Sequence, residues 1–560
     1  MLFPGSNRVA TREHLKIYSV IIAALLSCSL FSIRTLGQGG RSQKRPEQKD
    51  PQIAGLNPAA QNSLETAIQA LKSGALSEAE RAARIAVQAS PKSPITRNLL
   101  GVVLDRLGKH EAALDAFDAA IRLDPDFVSA RNNRGRLFAE RGKFTEAIAE
   151  FERVLKVEPS HLEAHYNLGS LYAAAGDFAK ATEHLAVARS NAPDDPQLTL
   201  AFIDAAYRAK RTEEAEAAAD LFEKRGGQDP RALFTLAMTL ARSEQYERGA
   251  RLFGRVNEMM PDTFEVLYNL GIALYNLDRG EEAAQHLAKA ADINPAPAET
   301  HFRLGLIASE RSDHANAVEE FKHAIERNSG NANYHYLLGR EYFRAGFLEG
   351  AISEFTRAIE IAPNQDAYFL ARADANYRKG EALAAAADFD RAAAINAEIK
   401  DIEYWQGYAY RVAGKFDLAR KYLESFLTKN PKHADTLASL GFVAIEQGRL
   451  EDAETVLSRA LELAPNDIAI LYDFARVAFK RRDYEGAVVR LKRALEKQPG
   501  LTEAHYQLFL AYTRLKQTDN AQKELAEFKR LEALRKQADQ ERMLDDKLRT
   551  QRMLGGESTP

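Results

Sequence analysis

Apolar residues recur along most of this chain at intervals of three and four, broken at even distances by short polar stretches that carry glycine or proline. Such spacing gathers apolar side chains onto one face of a helix. One stripe runs through the pairs Leu100-Gly101, Leu168-Gly169, Leu270-Gly271, Leu304-Gly305, Leu338-Gly339 and Leu440-Gly441, with Tyr172, Tyr342, Tyr410 or Tyr512 further on. A second stripe follows each, as in Ala317, Phe321, Ala324 or Ala351, Phe355, Ala358. The pattern predicts pairs of amphipathic helices joined by a short turn. Gly108, Gly142, Gly176, Gly346, Gly380, Gly414 and Gly448 supply that turn, where a positive φ costs glycine least.

The pairs keep a fixed register. Proline falls at Pro91, Pro125, Pro159, Pro193, Pro261, Pro295, Pro363, Pro431, Pro465 and Pro499, each a multiple of 34 residues from the first, and Gly227, Ser329 and Ala397 fill the remaining slots. Twelve residues before each slot stands a small residue, from Ala79 to Ala487 with Gly249 as the one glycine, and Ala521 continues the series into an incomplete fourteenth unit. A small side chain is needed where two helix backbones cross closely, and enlarging it in a filled core costs about 1 to 3 kcal/mol. The unit resembles the tetratricopeptide repeat, with its W-x2-L-G-x2-Y, A-x3-F and terminal P pattern, from residue 60 to about residue 530. The resemblance implies an all-α right-handed superhelical solenoid of helix pairs, about fourteen units over 60–535, whose first helices line a concave surface. Two units depart from the pattern: 196–229 has Ile203 for glycine and Gly227 for proline, and 366–399 ends in Ala397, so local curvature is expected to change there.

On that concave surface the inward positions are the one after the His/Leu slot of each first helix, then four and seven beyond it. The middle of the array fills them and their neighbours with Phe234, Tyr268, Asn269, Tyr275, Phe302, Arg303, Tyr336, Arg340, Phe343, Arg344 and Tyr377, continued by Arg378, Tyr404 and Tyr408. Aromatics with arginine are what binding surfaces favour, which makes this the candidate groove for a partner peptide or helix. Tyrosine at the first of these positions also serves simply to pack against the adjacent repeat. Some relatives grip a chaperone's C-terminal carboxylate with lysine, asparagine and arginine. Here Asn132, Arg136 and Asn167 begin such a clamp, but Gln197 and Ala201 stand where its basic partners belong.

Fourteen units leave no room for a catalytic domain, so no enzyme is expected. Composition agrees with a folded protein: 45% of residues are hydrophobic and 28% charged, and the formal net charge of −3 gives no field to draw the chain onto nucleic acid. The lone cysteine, Cys28, offers neither a disulfide framework nor thiolates for a metal site, and no cofactor is expected. Gly101 to Gly108-Lys109 and its repeats space their glycines too widely for a phosphate loop. His161 and His165 have metal-ligand spacing, but His165, His301, His335 and His505 share one register position that is leucine elsewhere, and are expected to pack with their polar edge outward. Paired acids such as Glu213-Glu214, Glu281-Glu282 and Glu319-Glu320 stand at the start of second helices and read as solvated faces.

The ends carry different information. Arg8, Arg12 and Lys16 precede the apolar stretch 17–33, so residues 1–33 read as a signal peptide or an N-terminal membrane anchor. The expected location is exported, periplasmic or extracellular, or membrane-anchored through residues 17–33. Positive charge after the stretch, at Arg34, Arg41, Lys44, Arg45 and Lys49, favours the alternative of a cytoplasm-facing accessory subunit of a membrane-associated complex. Residues 34–59 read as a flexible linker. Ala521, Leu525, Phe528, Leu531 and Leu534 form one face of a helix capping the last repeat, and 536–560 a charged helical extension and tail in which Met543, Leu544 and Leu548 offer a small apolar face.

Overall fold

The computed structural model describes residues 56–553, which form twenty-eight α-helices and, among the described residues, no strand. The predicted signal or anchor at 1–33 with Cys28, nearly all of the linker and the end of the tail lie outside them. The chain divides into two units, one ending at Asp278 and one beginning at Arg279, and each is built from the same helix pairs. In a typical pair the first helix is Ala332–Arg344, 13 residues, and the second Leu348–Ile361, 14 residues.

Local chemistry sets the helix ends. Ser93, Asp195, Asp229, Asn331 and Asp467 each accept a backbone N–H of the turn they open, a cap worth about 1 kcal/mol. After Pro94–Arg106, the Gly108 N–H donates to the Asp105 carbonyl and the Lys109 N–H to the Leu104 carbonyl, both at 2.9 Å, closing the helix on a left-handed residue. The thirteen pairs that lie within one unit turn in this way. Where the residue is not glycine, Lys210, Glu244, Asp278, Ser312, Arg482 and Lys516 are held at φ between 59° and 66°.

The Leu-Gly signature is a seat for the side chain sixteen residues further on. A Cβ on Gly101 would stand 2.5 Å from the Phe117 ring, on Gly305 2.7 Å from the Phe321 ring, and on Gly441 2.5 Å from Leu457. The predicted small position is the matching half of the crossing. Ala113, Ala147, Ala283, Ala351 and Ala453 are fully buried, and a Cβ on Gly339 would also come within 3.3 Å of the Ala351 carbonyl.

Each departure from the repeat has a local resolution. Ile203 takes the glycine seat, and sixteen residues later the ring is replaced by Ala219; both are fully buried, so large and small have exchanged places and core volume is kept. At Gly227 the second helix, Thr212–Gly226, runs to 15 residues. After Ala397 the next first helix, Ile402–Val412, starts late behind Asp401 at φ 59° and has only 11 residues.

Within each unit successive first helices contact one another, as Pro94–Arg106 does Val128–Glu140 and Ala434–Glu446 does Ile468–Lys480, while successive second helices stand further apart. Each unit therefore curves with its first helices on the inner side. The last helix, Thr518–Met553, is 36 residues long. Ala521 is buried and the Phe528 ring lies 5.1 Å from Tyr506, but Leu534 is 52% exposed.

Candidate functional site

The predicted inward residues fall in both units. In the unit ending at Asp278, Phe234 is half-buried, edge-on to Phe253 at 5.6 Å, Tyr268 stacks on Phe264 at 5.7 Å, Asn269 donates Nδ2–H to the Glu265 carbonyl at 2.7 Å, and Tyr275 is half-buried. In the unit beginning at Arg279, Tyr336 lies 5.0 Å from Tyr368 of the next first helix with the Arg340 guanidinium 5.7 Å over its ring, and Arg378 stands 4.2 Å over Phe343.

Three expected groove residues serve the fold instead. Phe302 is only 3% exposed, because Tyr334 from the following first helix covers it at 4.8 Å and Phe321 lies beneath it. Arg303 donates Nε–H to Glu299 at 2.8 Å on its own helix. Arg344 donates to the buried Glu341 at 2.6 Å and to the Ser309 hydroxyl at 3.0 Å, while His314 Nδ1 holds the other Glu341 oxygen at 2.7 Å.

The strip continues past Tyr377 into residues that sequence reasoning only partly reached. Tyr377 lies 5.8 Å from Tyr408, which lies 5.9 Å from Tyr404. Burial pushes the Tyr404 phenol up to about 12, and burial with the Tyr408 hydrogen bond does the same to Tyr377, so both remain hydrogen-bond donors across neutral pH. Arg411 stands 4.6 Å over Tyr408 and 5.0 Å over Phe442, whose ring Arg476 approaches at 5.2 Å. Arg476 is committed to Glu446 and to Asp473, the latter at 2.9 Å. Arg411 makes no ion pair among the described residues, and its buried Nε has no acceptor. The register marks Arg411, Phe442 and Arg476 as inward positions. They were missed because alanine at position 438 interrupts the run of aromatics that drew attention.

The shared histidine position is a second finding, and it corrects the expectation of an outward polar edge. All four rings are buried. His335 Nε2 faces the Ser329 carbonyl at 3.2 Å and Nδ1 faces Glu354 at 2.7 Å; His505 repeats this with Pro499 at 2.9 Å and Glu524 at 2.6 Å. A carbonyl can only accept, so Nε2 is the donor to it in both rings. His301 keeps only the carboxylate, Glu320 at 2.8 Å, because Arg327 has taken the Pro295 carbonyl. Glu320 is thus a buried ring's partner and not merely part of a solvated face.

What these rings guard is the carbonyl of the proline slot. In the unit ending at Asp278, Arg97 donates to Pro91 at 3.0 Å, Arg131 to Pro125 at 2.6 Å, His165 to Pro159 at 2.8 Å and Arg225 to Pro193 at 2.6 Å. In the other unit Arg459 reaches Pro431 at 3.4 Å and Arg493 reaches Pro465 at 3.0 Å. A cation just beyond a helix C-terminus satisfies a stray carbonyl and opposes the helix dipole.

The remaining candidates resolve as structure. His161 caps its helix, accepting the Ala164 N–H at 3.2 Å, and so is not aligned with His165. Gly101 is a helix seat and Gly108 a turn residue. Among the described residues no group of three or more His, Cys, Asp or Glu could hold a metal ion, and no helix is long and apolar enough to cross a membrane.

Helix pairs in a 34-residue register, with small residues at each crossing and an inner surface of first helices, define an interaction scaffold built from repeats. Two family models, both described as tetratricopeptide repeat, match the chain, one at residues 59–126, 132–196, 234–298, 302–366 and 336–402 and the other at 412–473. The chain belongs to the tetratricopeptide-repeat family. Solved structures similar to it include the APC/C hetero-tetramer Cut9-Hcn1, at 16% identity and a TM-score of 0.34 over 85% of this chain and 94% of that one. Yeast Tom70 matches at 16% identity and a TM-score of 0.27 over 76% and 96%, and MamA from Desulfovibrio magneticus RS-1 at 21% and 0.30 over 31% and 98%. No curated protein matches the sequence.

Proposed function

We propose that the chain is a non-enzymatic scaffold that holds an extended segment or a helix of a partner protein on the inner, first-helix surface of the unit beginning at Arg279. The observation that carries this reading is Arg411: a guanidinium among the half-buried rings of Tyr408 and Phe442, with no ion pair among the described residues. A stacked arginine keeps its in-plane donors free for a carboxylate, and aromatic anchors around it supply contact area at small cost in side-chain entropy. Tyr336, Arg340, Phe343 and Tyr377 extend the same surface toward the start of the unit.

A photo-crosslinking residue at Tyr408, read in the protein's own cells beside one at Val489, which is 67% exposed on a second helix, tests the assignment. An adduct from position 408 that fades in Arg411→Glu, with none from 489, is expected; the opposite pattern removes the groove. A second reading, assembly through the outer face and the C-terminal helix, has its own support in the exposed Leu534 and in Met543 at 74%. We further propose that the scaffold works exported or tethered to a membrane through residues 17–33, on the strength of the basic residues before that apolar stretch. Release of the protein from isolated membranes by alkaline carbonate, with its N-terminus intact, removes both versions.

A further inference from the structure

A cavity of about 370 Å³ opens in the unit ending at Asp278, where the C-terminal ends of the second helices Phe178–Asn191 and Thr212–Gly226 meet the start of Pro196–Arg208. It lies off the first-helix surface, and its origin is written in the register. The position of Arg189 within the 34-residue unit is aliphatic at Ile121, Leu155, Ile325, Leu427, Leu461 and Leu495, which pack into the cores between pairs. Arg189 brings a guanidinium instead. On the facing wall Gly226, next to the slot that usually holds proline, contributes no side chain.

The other polar side chains around the cavity are committed. Arg225 donates to the Pro193 carbonyl at 2.6 Å and pairs with Asp194 at 3.2 Å; Asp195 accepts the Gln197 and Leu198 N–H groups at 2.8 and 3.1 Å. The Thr199 hydroxyl donates to the Asp195 carbonyl at 3.1 Å and the Ser190 hydroxyl to the Val187 carbonyl at 2.8 Å. Arg189 differs: stacked 4.4 Å from the Phe202 ring, it makes no ion pair among the described residues, and its Nη1 is shut off from water with no acceptor. Burial pushes this guanidinium below its ordinary range, Glu214 counters that pull and Arg225 adds to it. A half-buried guanidinium with one donor unanswered carries a desolvation cost, and an anion that reaches it recovers part of that cost.

We propose that this cavity binds a small apolar carboxylate, its oxygens held by Arg189 and its hydrocarbon part by Leu221, Phe222 and Pro193. A guanidinium and a carboxylate share a planar two-point geometry, and the volume falls at the lower end of the range for small-molecule sites. The carboxylate has two sources, a free organic acid or the end of a peptide, and one titration separates them.

The purified full chain is titrated calorimetrically with 4-methylpentanoate, with its neutral amide, and with N-acetylglycylleucine. The free acid is expected to bind at least about tenfold more tightly than the amide, because the amide cannot answer the half-buried charge. Tighter binding of the acetylated dipeptide assigns the site to a chain end, and tighter binding of the free acid to a metabolite. Arg189→Leu restores the residue found elsewhere in the register, so it should keep or raise the thermal midpoint while binding falls by about tenfold or more. Leu221→Glu, at a side chain 46% exposed, should weaken both ligands and the acid by the larger factor, since it removes a shared apolar contact and adds a negative charge. Equal binding of acid and amide, undiminished binding to Arg189→Leu, or no binding of either acid at about 10 mM overturns the proposal.

Discussion

At the scale of single residues, this array differs from a generic repeat in how it satisfies the polar groups its geometry strands. Three of the four buried register histidines face a glutamate nineteen residues on; His165 alone faces another histidine, with Nδ1 to Nδ1 at 3.0 Å. His165 Nε2 donates to the Pro159 carbonyl, and of two facing Nδ1 atoms only one can donate to the other. Burial first, and then His165, holds His184 below its ordinary value of 6.5; Glu183 and Glu152 oppose the shift and Lys180 adds to it. The sign follows from linkage. Above about pH 6.5 both folded and unfolded chains carry a neutral His184, and as pH falls the unfolded chain binds the proton first, so stability present above that value is lost through the folded pKa. The thermal midpoint should therefore drop between about pH 7.5 and pH 5.5, and His184→Glu, which installs the partner found in the other three pairs, should flatten the drop. An unchanged pH profile in that variant would show that the two imidazoles are not the source.

At the scale of the helix pair, the crossing is a volume lock, and one pair has already turned it the other way round. Gly339 seats Phe355 at 2.7 Å from where a Cβ would be, whereas Ile203 stands over Ala219. Gly339→Ala should cost about 1 to 3 kcal/mol by overpacking and Phe355→Ala about 3 to 5 kcal/mol by leaving a cavity. Gly339→Ile combined with Phe355→Ala copies the natural exchange, so in denaturant unfolding the double variant should lose less than the sum of its singles by about 1 to 3 kcal/mol. Simple additivity would mean that the two positions do not share one space. This lock was legible as a pattern, since the Leu-Gly pairs, the alanines and the prolines each repeat at 34, but the reason for glycine was not, because its partner lies on the other helix of the pair. The same limit hid the guards of the slot carbonyls. Their donors come from 6, 28 or 32 residues away in different repeats, and a stripe drawn along one helix cannot show them. The recurrence of His with Glu nineteen residues later, at 301, 335 and 505, was the available signal. On the candidate groove, aromatic type alone named Phe302, but only the placement of Tyr334 reveals that its ring is covered.

At the scale of the whole molecule, stability in a repeat array is a sum over neighbouring pairs, so what packs on no neighbour contributes nothing and is available for another use. The last helix divides on this criterion within its own length. Up to Leu531 its apolar face is at least partly covered, and from Leu534 onward its described side chains are exposed. An ion pair of Arg535 with Glu503 at 3.4 Å ties that exposed part to Thr502–Arg514, the first helix of its own pair; the side chains are 66% and 53% exposed, and such pairs are worth at most about 1 kcal/mol. Removal of residues 535–560 should thus lower the helical signal in circular dichroism while leaving the unfolding free energy within about 0.5 kcal/mol of the intact chain and the midpoint nearly unmoved. The same deletion separates the two functional readings without touching the inner surface. If the partner is held by the first helices, crosslinking from position 408 survives the loss of the extension. If capture disappears while the midpoint stays, the exposed helix is the docking element, and the stacked arginines of the inner surface have some other role.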